Sequence, residues 1–245
     1  MPGALFVSDL HLAAERPGTN ERFFGFLQDQ ASRAERLYIL GDLFEYWIGD
    51  DELQAADGDP LARAVADALH ALSRLGVGIA VMHGNRDFLL GERFCAATGA
   101  RLLEDPAVEK IGGVRTLLMH GDTLCTDDLD YQAWRRTARS RAWQAEFLAK
   151  SLPERRRTVQ AMRAKSREVV GAKPAEIMDV NDGAVREALR THRLTRLVHG
   201  HTHRPARHAL EVDGRPCERW VLPDWYDGRG GYLAVDDAGP RLLAC

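Results

Sequence analysis

Seven polar side chains at recurring positions stand out in the sequence. Asp9 and His11 lie two residues apart, and His201 and His203 repeat that spacing. In an extended segment, alternate residues point to the same side, so each pair can present two donors to one point. Asp42, Asn85 and His120 each follow a short apolar run. Carboxylate, imidazole and amide oxygen together suit Mn²⁺, Fe²⁺, Zn²⁺ or a similar ion. Cys95, Cys125, Cys217 and Cys245 lie outside this set and show no CxxC spacing, which excludes a thiolate zinc site. Singly, each candidate has an ordinary explanation. Asp9 or Asp42 could cap a helix, Asn85 could be a turn residue, and a lone His could be structural. Together they would need unrelated coincidences at equivalent positions.

The elements that must position them are legible. Leu5–Val7, Leu37–Leu40, Ile79–Met82, Thr116–Met119 and Leu197–Val198 are strand-length apolar runs, each ending in Gly or a small polar residue. Glu21–Arg36 and Leu61–Leu75 carry apolar residues at helical spacing. Alternating strands and helices predict an α/β fold with a buried sheet, whose carboxyl strand ends converge on one rim. Trp220, Trp225 and the Gly-rich 228–231 segment read as a late β-hairpin. Asp50 and Asp51 read as turn or cap residues, and Asp122 as a partner orienting His120.

The chain has 245 residues and is 45% hydrophobic and 28% charged, which fits one globular domain and excludes a disordered chain. No apolar run approaches the ~20 residues that span a bilayer. Ala4–Val7 reads as a first strand rather than a targeting segment, so the protein is expected to remain where it is made. The net charge of −3 is unevenly spread. Tyr131–Lys173 holds 12 Lys and Arg against 3 Asp and Glu, leaving −12 on the remainder. Trp134, Trp143, Phe147, Leu148 and Leu152 lie in the same stretch. It reads as basic amphipathic helices suited to an anionic lipid surface. A nucleic-acid face is disfavoured, because the acidic remainder would repel phosphate backbones. No obligate protein partner is evident.

Asp-x-His, Gly-Asp, Gly-Asn, His-Gly-Asp and Gly-His-x-His, in that order across residues 9–203, resemble the calcineurin-like metallophosphoesterase superfamily. The resemblance implies an α/β (α+β) fold, an αββα sandwich with two metals at the strand ends. It assigns one metal to Asp9, His11, Asp42 and His203. The other falls to Asp42, Asn85, His120 and His201, with Asp42 bridging. Paired divalent ions ~3.5–4 Å apart can activate water near neutral pH and clamp an in-line phosphoryl displacement. Arg86 stands where many superfamily members carry a His that protonates the leaving group. Arginine cannot act as a general acid but can bind phosphate bidentately. That favours a leaving group already stable as an anion, and hence a diphosphate substrate. Alternatively, Arg86 pairs with Asp87, and His83 or another His supplies the proton.

SDLHL (8–12), LGDLFEYWIGDD (40–51), HGNRDFLLG (83–91), MHGDTLCTDD (119–128), EIMDVN (176–181) and HGHTHRP (199–205) resemble the UDP-2,3-diacylglucosamine hydrolase family more closely. That resemblance implies hydrolysis of the UDP-2,3-diacylglucosamine diphosphate in lipid A biosynthesis. Water would attack the α-phosphorus, giving UMP and 2,3-diacylglucosamine 1-phosphate. It also implies two Mn²⁺ and a peripheral position on the cytoplasmic face of the inner membrane. The whole of 1–245 would be one domain, with 129–180 a helical lipid-binding cap inserted in it. Asp42, Asn85, Arg86 and His120 would be catalytic. Asn85, Arg86, Asp128, Ser166, Lys173 and His201 would contact substrate, with Tyr131 and Arg163 at matching positions. Val170 departs from the family where some members carry Asn. Two other readings remain: a metallophosphoesterase for soluble nucleotides or phosphodiesters, and a non-enzymatic scaffold.

Overall fold

A computed structural model describes residues 3–171 and 177–245. The elements run β1 (Ala4–Val7), α1 (Pro17–Asp29), β2 (Arg36–Leu40), α2 (Pro60–Arg74), β3 (Gly78–Met82), α3 (Glu92–Thr98) and β4 (Arg101–Leu103). Then follow β5 (Ala107–Ile111), β6 (Val114–Leu118), α4 (Leu129–Ala138), α5 (Arg141–Leu148), α6 (Leu152–Gly171) and α7 (Asp182–His192). The chain closes with β7 (Arg196–His199), β8 (Ala206–Val212), β9 (Arg215–Val221), β10 (Gly231–Asp236) and β11 (Gly239–Ala244).

Two sheets form, in the orders β11-β10-β1-β2-β3-β4 and β5-β6-β7-β9-β8. β1, β2, β3 and β4 pair in parallel, as do β6, β7 and β9. Period-two alternation sorts the side chains. Phe6, Tyr38, Leu40 and Met82 turn inward against Leu118, Val198 and Trp220 of the other sheet. Leu5, Val7, Ile39 and Val81 turn outward onto α1, α2 and α3. Leu117 and Leu197 turn outward onto Val185 and Leu189 of α7. This is the αββα sandwich that the sequence motifs imply. Local signals support it: Asp59 caps α2 by accepting from Leu61 N–H, with Pro60 at its first position. Asn181 caps α7 by accepting from Ala184 N–H.

Two expectations are corrected. The first helix ends at Asp29 rather than Arg36, because Ala34 is extended and Leu37 is needed in β2. Trp220 belongs to the β8–β9 hairpin and Trp225 to the loop beyond it, so the terminal hairpin is β10–β11. The other expected strands form as β1, β2, β3, β6 and β7, and their carboxyl ends share one rim. Helices α4, α5 and α6 are inserted between β6 and α7, across that rim.

Candidate metal centre

Backbone hydrogen bonds tie the rim loops into one unit. Asp9 N–H donates to Gly41 O at 3.1 Å, and His11 N–H to Asp42 O at 2.9 Å. Gly200 N–H donates to His120 O at 2.8 Å, and Trp225 N–H to Asp9 O at 3.1 Å. Asp9, His11, Asp42, His201 and His203 all adopt positive φ, between 49° and 70°. Each such non-glycine residue costs about 1–3 kcal/mol, a strain that gathers where side chains must be aimed. The motif glycine before Asn85 has a steric reason. A Cβ on Gly84 would sit 2.0 Å from Asp42 Oδ1. A Cβ on Gly41 would sit 2.6 Å from Gly84 Cα, at a φ of +90°.

The aimed side chains converge. One ligand atom from each of Asp9, Asp42 and His120 lies within 4.8 Å of the others, as it does for Asp9, His11 and His203. Asp42 faces both groups: Oδ2 is 3.8 Å from His11 Nε2, and Oδ1 is 4.0 Å from His120 Nε2. Asn85 Oδ1 lies 3.0 Å from His120 Nε2 and 2.9 Å from His201 Nδ1. Turned over, the amide would instead donate to both rings and to Asp42, and accept from Arg86 Nε at 3.3 Å. Either orientation keeps Asn85 at the centre, and only the first offers a cation the amide oxygen.

The site fits a divalent cation on its own chemistry. Asp9 Oδ1 is buried without a hydrogen-bond partner. Oxygen and nitrogen lone pairs face one another with no thiolate among them, which is the donor mixture of borderline metal ions. Outer groups fix the rings, as metal-ligating histidines require. His120 Nδ1 donates to Leu40 O at 2.9 Å. His11 Nδ1 is 3.4 Å from Glu45 Oε2, and His203 Nδ1 is 3.4 Å from Asp224 Oδ2.

Charge is concentrated in this pocket. Burial pushes Asp42 up to about 7, against the pull of His120 and with the help of Asp87. Burial opposes protonation of His120, but Asp42, Asp122 and Asp9 outweigh it and raise the ring to about 9. Burial alone would raise Asp9, yet His203, His120 and His11 hold it well below the carboxylate range. Burial lowers His11 well below its usual value, and burial with His120 lowers His201 to about 4.

Arg86 borders the cluster, with Nε 4.0 Å from Asp42 Oδ2 and Nη1 3.8 Å from Glu45 Oε1. It does not pair with Asp87. That carboxylate is fully buried and accepts from Leu43 N–H at 2.7 Å and Gly84 N–H at 2.8 Å. Asp122 does not orient His120, whose second nitrogen is taken by Leu40. Buried Asp122 instead accepts from Tyr131 Oη at 2.6 Å and Arg135 Nε at 2.7 Å, anchoring α4. Arg139, the residue that ends α4, donates to Gly84 O at 2.8 Å, and Arg163 of α6 to Glu45 O at 2.8 Å.

The remaining sequence candidates are less concentrated. Asp128 is the N-cap of α4, accepting from Tyr131 N–H. Ser166 is exposed on α6, while Lys173 and the side chain of Val170 lie outside the described residues. Asp50 is a cap, accepting from Gly91 and Phe94 N–H, and Asp51 pairs with Arg155 at 2.7 Å. Glu45 and Asp224 escaped the sequence reading, and Asp87 and Trp225 entered it only as a possible partner of Arg86 and as a hairpin residue. Glu45 and Asp87 lie inside matched motifs, three and two residues beyond a candidate ligand, and that proximity was the available signal.

A calcineurin-like phosphoesterase family model matches residues 4–205. A protein of Aromatoleum aromaticum named UDP-2,3-diacylglucosamine hydrolase is 51% identical over 239 residues, covering 98% of this chain and 95% of the relative. The chain belongs to the UDP-2,3-diacylglucosamine hydrolase family of calcineurin-like phosphoesterases. Relatives of the same name in Chromohalobacter salexigens and Bordetella pertussis are 47% and 48% identical. They cover 97% and 98% of this chain, and 95% and 94% of their own length. For a member of this hydrolase family, the partly buried Asp–His–Asn cluster at the sandwich rim is the candidate centre for divalent metals.

Proposed function

We propose that this chain hydrolyses the diphosphate of UDP-2,3-diacylglucosamine, giving UMP and 2,3-diacylglucosamine 1-phosphate for lipid A biosynthesis. The observation that carries the reading is the convergence of all seven donors beside Arg86. The family resemblance divides these donors between two Mn²⁺ ions: Asp9, His11, Asp42 and His203 for one, and Asp42, Asn85, His120 and His201 for the other. When bound, divalent cations supply a water acidic enough to attack at neutral pH and neutralise charge on the phosphoryl oxygens.

The chain's own side chains do the rest. Asp42 faces both histidine groups and joins them. Arg86, held between Asp42 and Glu45 and about one-third exposed, is free of any need to transfer a proton. It binds a phosphoryl oxygen and stabilises charge as water attacks the α-phosphorus. The sugar phosphate leaves as a stable anion, so the site needs no general acid. Asn85 and His201 line the same face, and His120 is kept in one tautomer by Leu40.

The helical insertion holds the acyl chains in this reading. Trp143 stacks on Phe147 at 5.0 Å and meets Trp134 edge-on at 5.7 Å, while Phe88 from the metal-side loop approaches Trp143 at 6.0 Å. Leu129, Trp134 and Leu148 remain exposed. Among the described residues no helix is long and apolar enough to cross a membrane. An exposed apolar cluster within a basic insertion suits peripheral contact with an anionic bilayer. Asp128, Ser166 and Lys173 complete the proposed substrate contacts.

The test is UMP release from UDP-2,3-diacylglucosamine in detergent micelles, with and without Mn²⁺, against UDP-glucose and an aryl phosphodiester. Metal-dependent release from the lipid alone is the expected result. Brisk ester cleavage without lipid turnover would transfer the site to soluble phosphodiesters.

A further inference from the structure

A second cleft lies beside the metal rim. It has a volume of about 270 Å³ and sits between Asp179, on the segment returning from the helical insertion, and the Thr202–Pro205 loop. Thr202 lies between the rim histidines His201 and His203, so the cleft adjoins the metal centre through that loop.

Arg219 of β9 lines this cleft. The residue is only 8% exposed, yet its Nη1 is buried without a hydrogen-bond partner. Thr202 Oγ1, also lining the cleft, is likewise buried and unpartnered. A buried guanidinium nitrogen left without an acceptor is costly, so a chain that keeps one has a use for the missing acceptor. The cleft exceeds the ~30 Å³ share of one water severalfold and has room for a ring. Its charge is nearly balanced, because Arg204 at its edge pairs with Asp179 and Asp182 lies near Arg219. That disfavours a second phosphate and favours a neutral, acceptor-bearing ring.

Resting on the proposed UDP-linked substrate, we infer that this cleft receives the pyrimidine of the nucleotide half, with Arg219 and Thr202 donating to a uracil carbonyl oxygen. Uracil presents a carbonyl oxygen where cytosine presents an amino group. A fixed donor therefore accepts the first and opposes the second, because the amino group leaves the guanidinium unpaired. Arg219 is then a specificity-determining residue some distance from the scissile bond.

The test is calorimetric titration of the Mn²⁺-loaded protein with UMP, CMP and ribose 5-phosphate, for wild type and Arg219→Gln. Wild type should bind UMP at least about tenfold more tightly than CMP, the scale of a good guanidinium–base contact. In Arg219→Gln the UMP advantage should collapse while ribose 5-phosphate binding stays unchanged. Arg219→Lys keeps the charge and serves if the Gln variant does not fold; it should narrow the UMP–CMP gap. A wild type indifferent to the base, or a preference that survives both substitutions, would overturn the inference and leave a cleft that holds water only. Turnover of the lipid substrate by wild type separates the two readings. Turnover without base preference sinks this inference alone, whereas absence of both removes the substrate assignment beneath it.

Discussion

His120, at the end of β6, donates from Nδ1 to the carbonyl oxygen of Leu40, at the end of β2, across 2.9 Å. These strands belong to different sheets, so the bond pins the candidate centre across the seam of the sandwich. It also fixes which nitrogen faces the cluster, because the Nδ1 proton is committed to Leu40. Nε2 then holds either a lone pair for a metal or, in the metal-free chain, a proton.

Metal loading should therefore release protons. His120, raised to about 9, and Asp42, raised to about 7, are substantially protonated at neutral pH without metal. Protons and cations compete for the same atoms, so apparent metal affinity should rise from pH 6 to pH 9. Titration in buffers of different ionisation enthalpy should show proton release near pH 7. A pH-independent affinity with no proton release would contradict this assignment.

Glu45 should matter to metal binding without being a ligand. Its carboxylate lies 3.4 Å from His11 Nδ1 and pairs with Arg163 of α6. Loss of an outer partner of this kind typically weakens metal affinity by roughly 10–100-fold. Glu45→Gln should do so in a chelator competition, with little change in secondary structure.

Asp105 should make stability fall as pH rises. Both of its oxygens are buried without partners. Burial, followed by Asp122, raises its carboxyl to about 6. The folded chain thus holds this proton more tightly than the unfolded chain, whose Asp titrates near 3.9. The stability tied to this proton is fully present below about pH 4 and is lost as pH rises through 6. Asp105→Asn should stabilise the protein at pH 8 by about 1–3 kcal/mol and have little effect at pH 4. Urea melts at the two pH values measure the difference; an equal shift at both would rule out the ionisation as its cause.

The exposed apolar residues of the insertion should separate lipid from soluble substrates. Trp134→Ala, at a side chain 42% exposed, removes area available to an acyl chain or bilayer. Burying such a side chain is worth about 1.5–3 kcal/mol, so lipid kcat/KM should fall roughly 10–100-fold. Cleavage of a water-soluble ester should be spared. Equal losses on both would detach the insertion from lipid binding.

The sequence made the donors legible because each ends a parallel strand, where a short apolar run and a small residue mark the position. Gly41 and Gly84 were visible, but their reason was not: it is the packing of one loop on another. What stayed hidden depends on contacts between distant segments. Asp122 was read as a partner of His120 from proximity along the chain, yet the fold gives His120 a backbone carbonyl 80 residues away and leaves Asp122 to α4. Asp224 and Trp225 sit outside every motif and reach the rim only because β9 lies beside β7. Arg219 reads as an ordinary strand charge until the sheet buries it.

Hydrolysis of the UDP-linked diphosphate by water at the α-phosphorus is the proposed reaction. It is tested most directly by turning over UDP-2,3-diacylglucosamine with the Mn²⁺-loaded enzyme in ¹⁸O-water and weighing both products by mass spectrometry. One ¹⁸O atom is expected in UMP and none in 2,3-diacylglucosamine 1-phosphate. Label in the sugar phosphate, or no release of UMP from the lipid substrate, would contradict it.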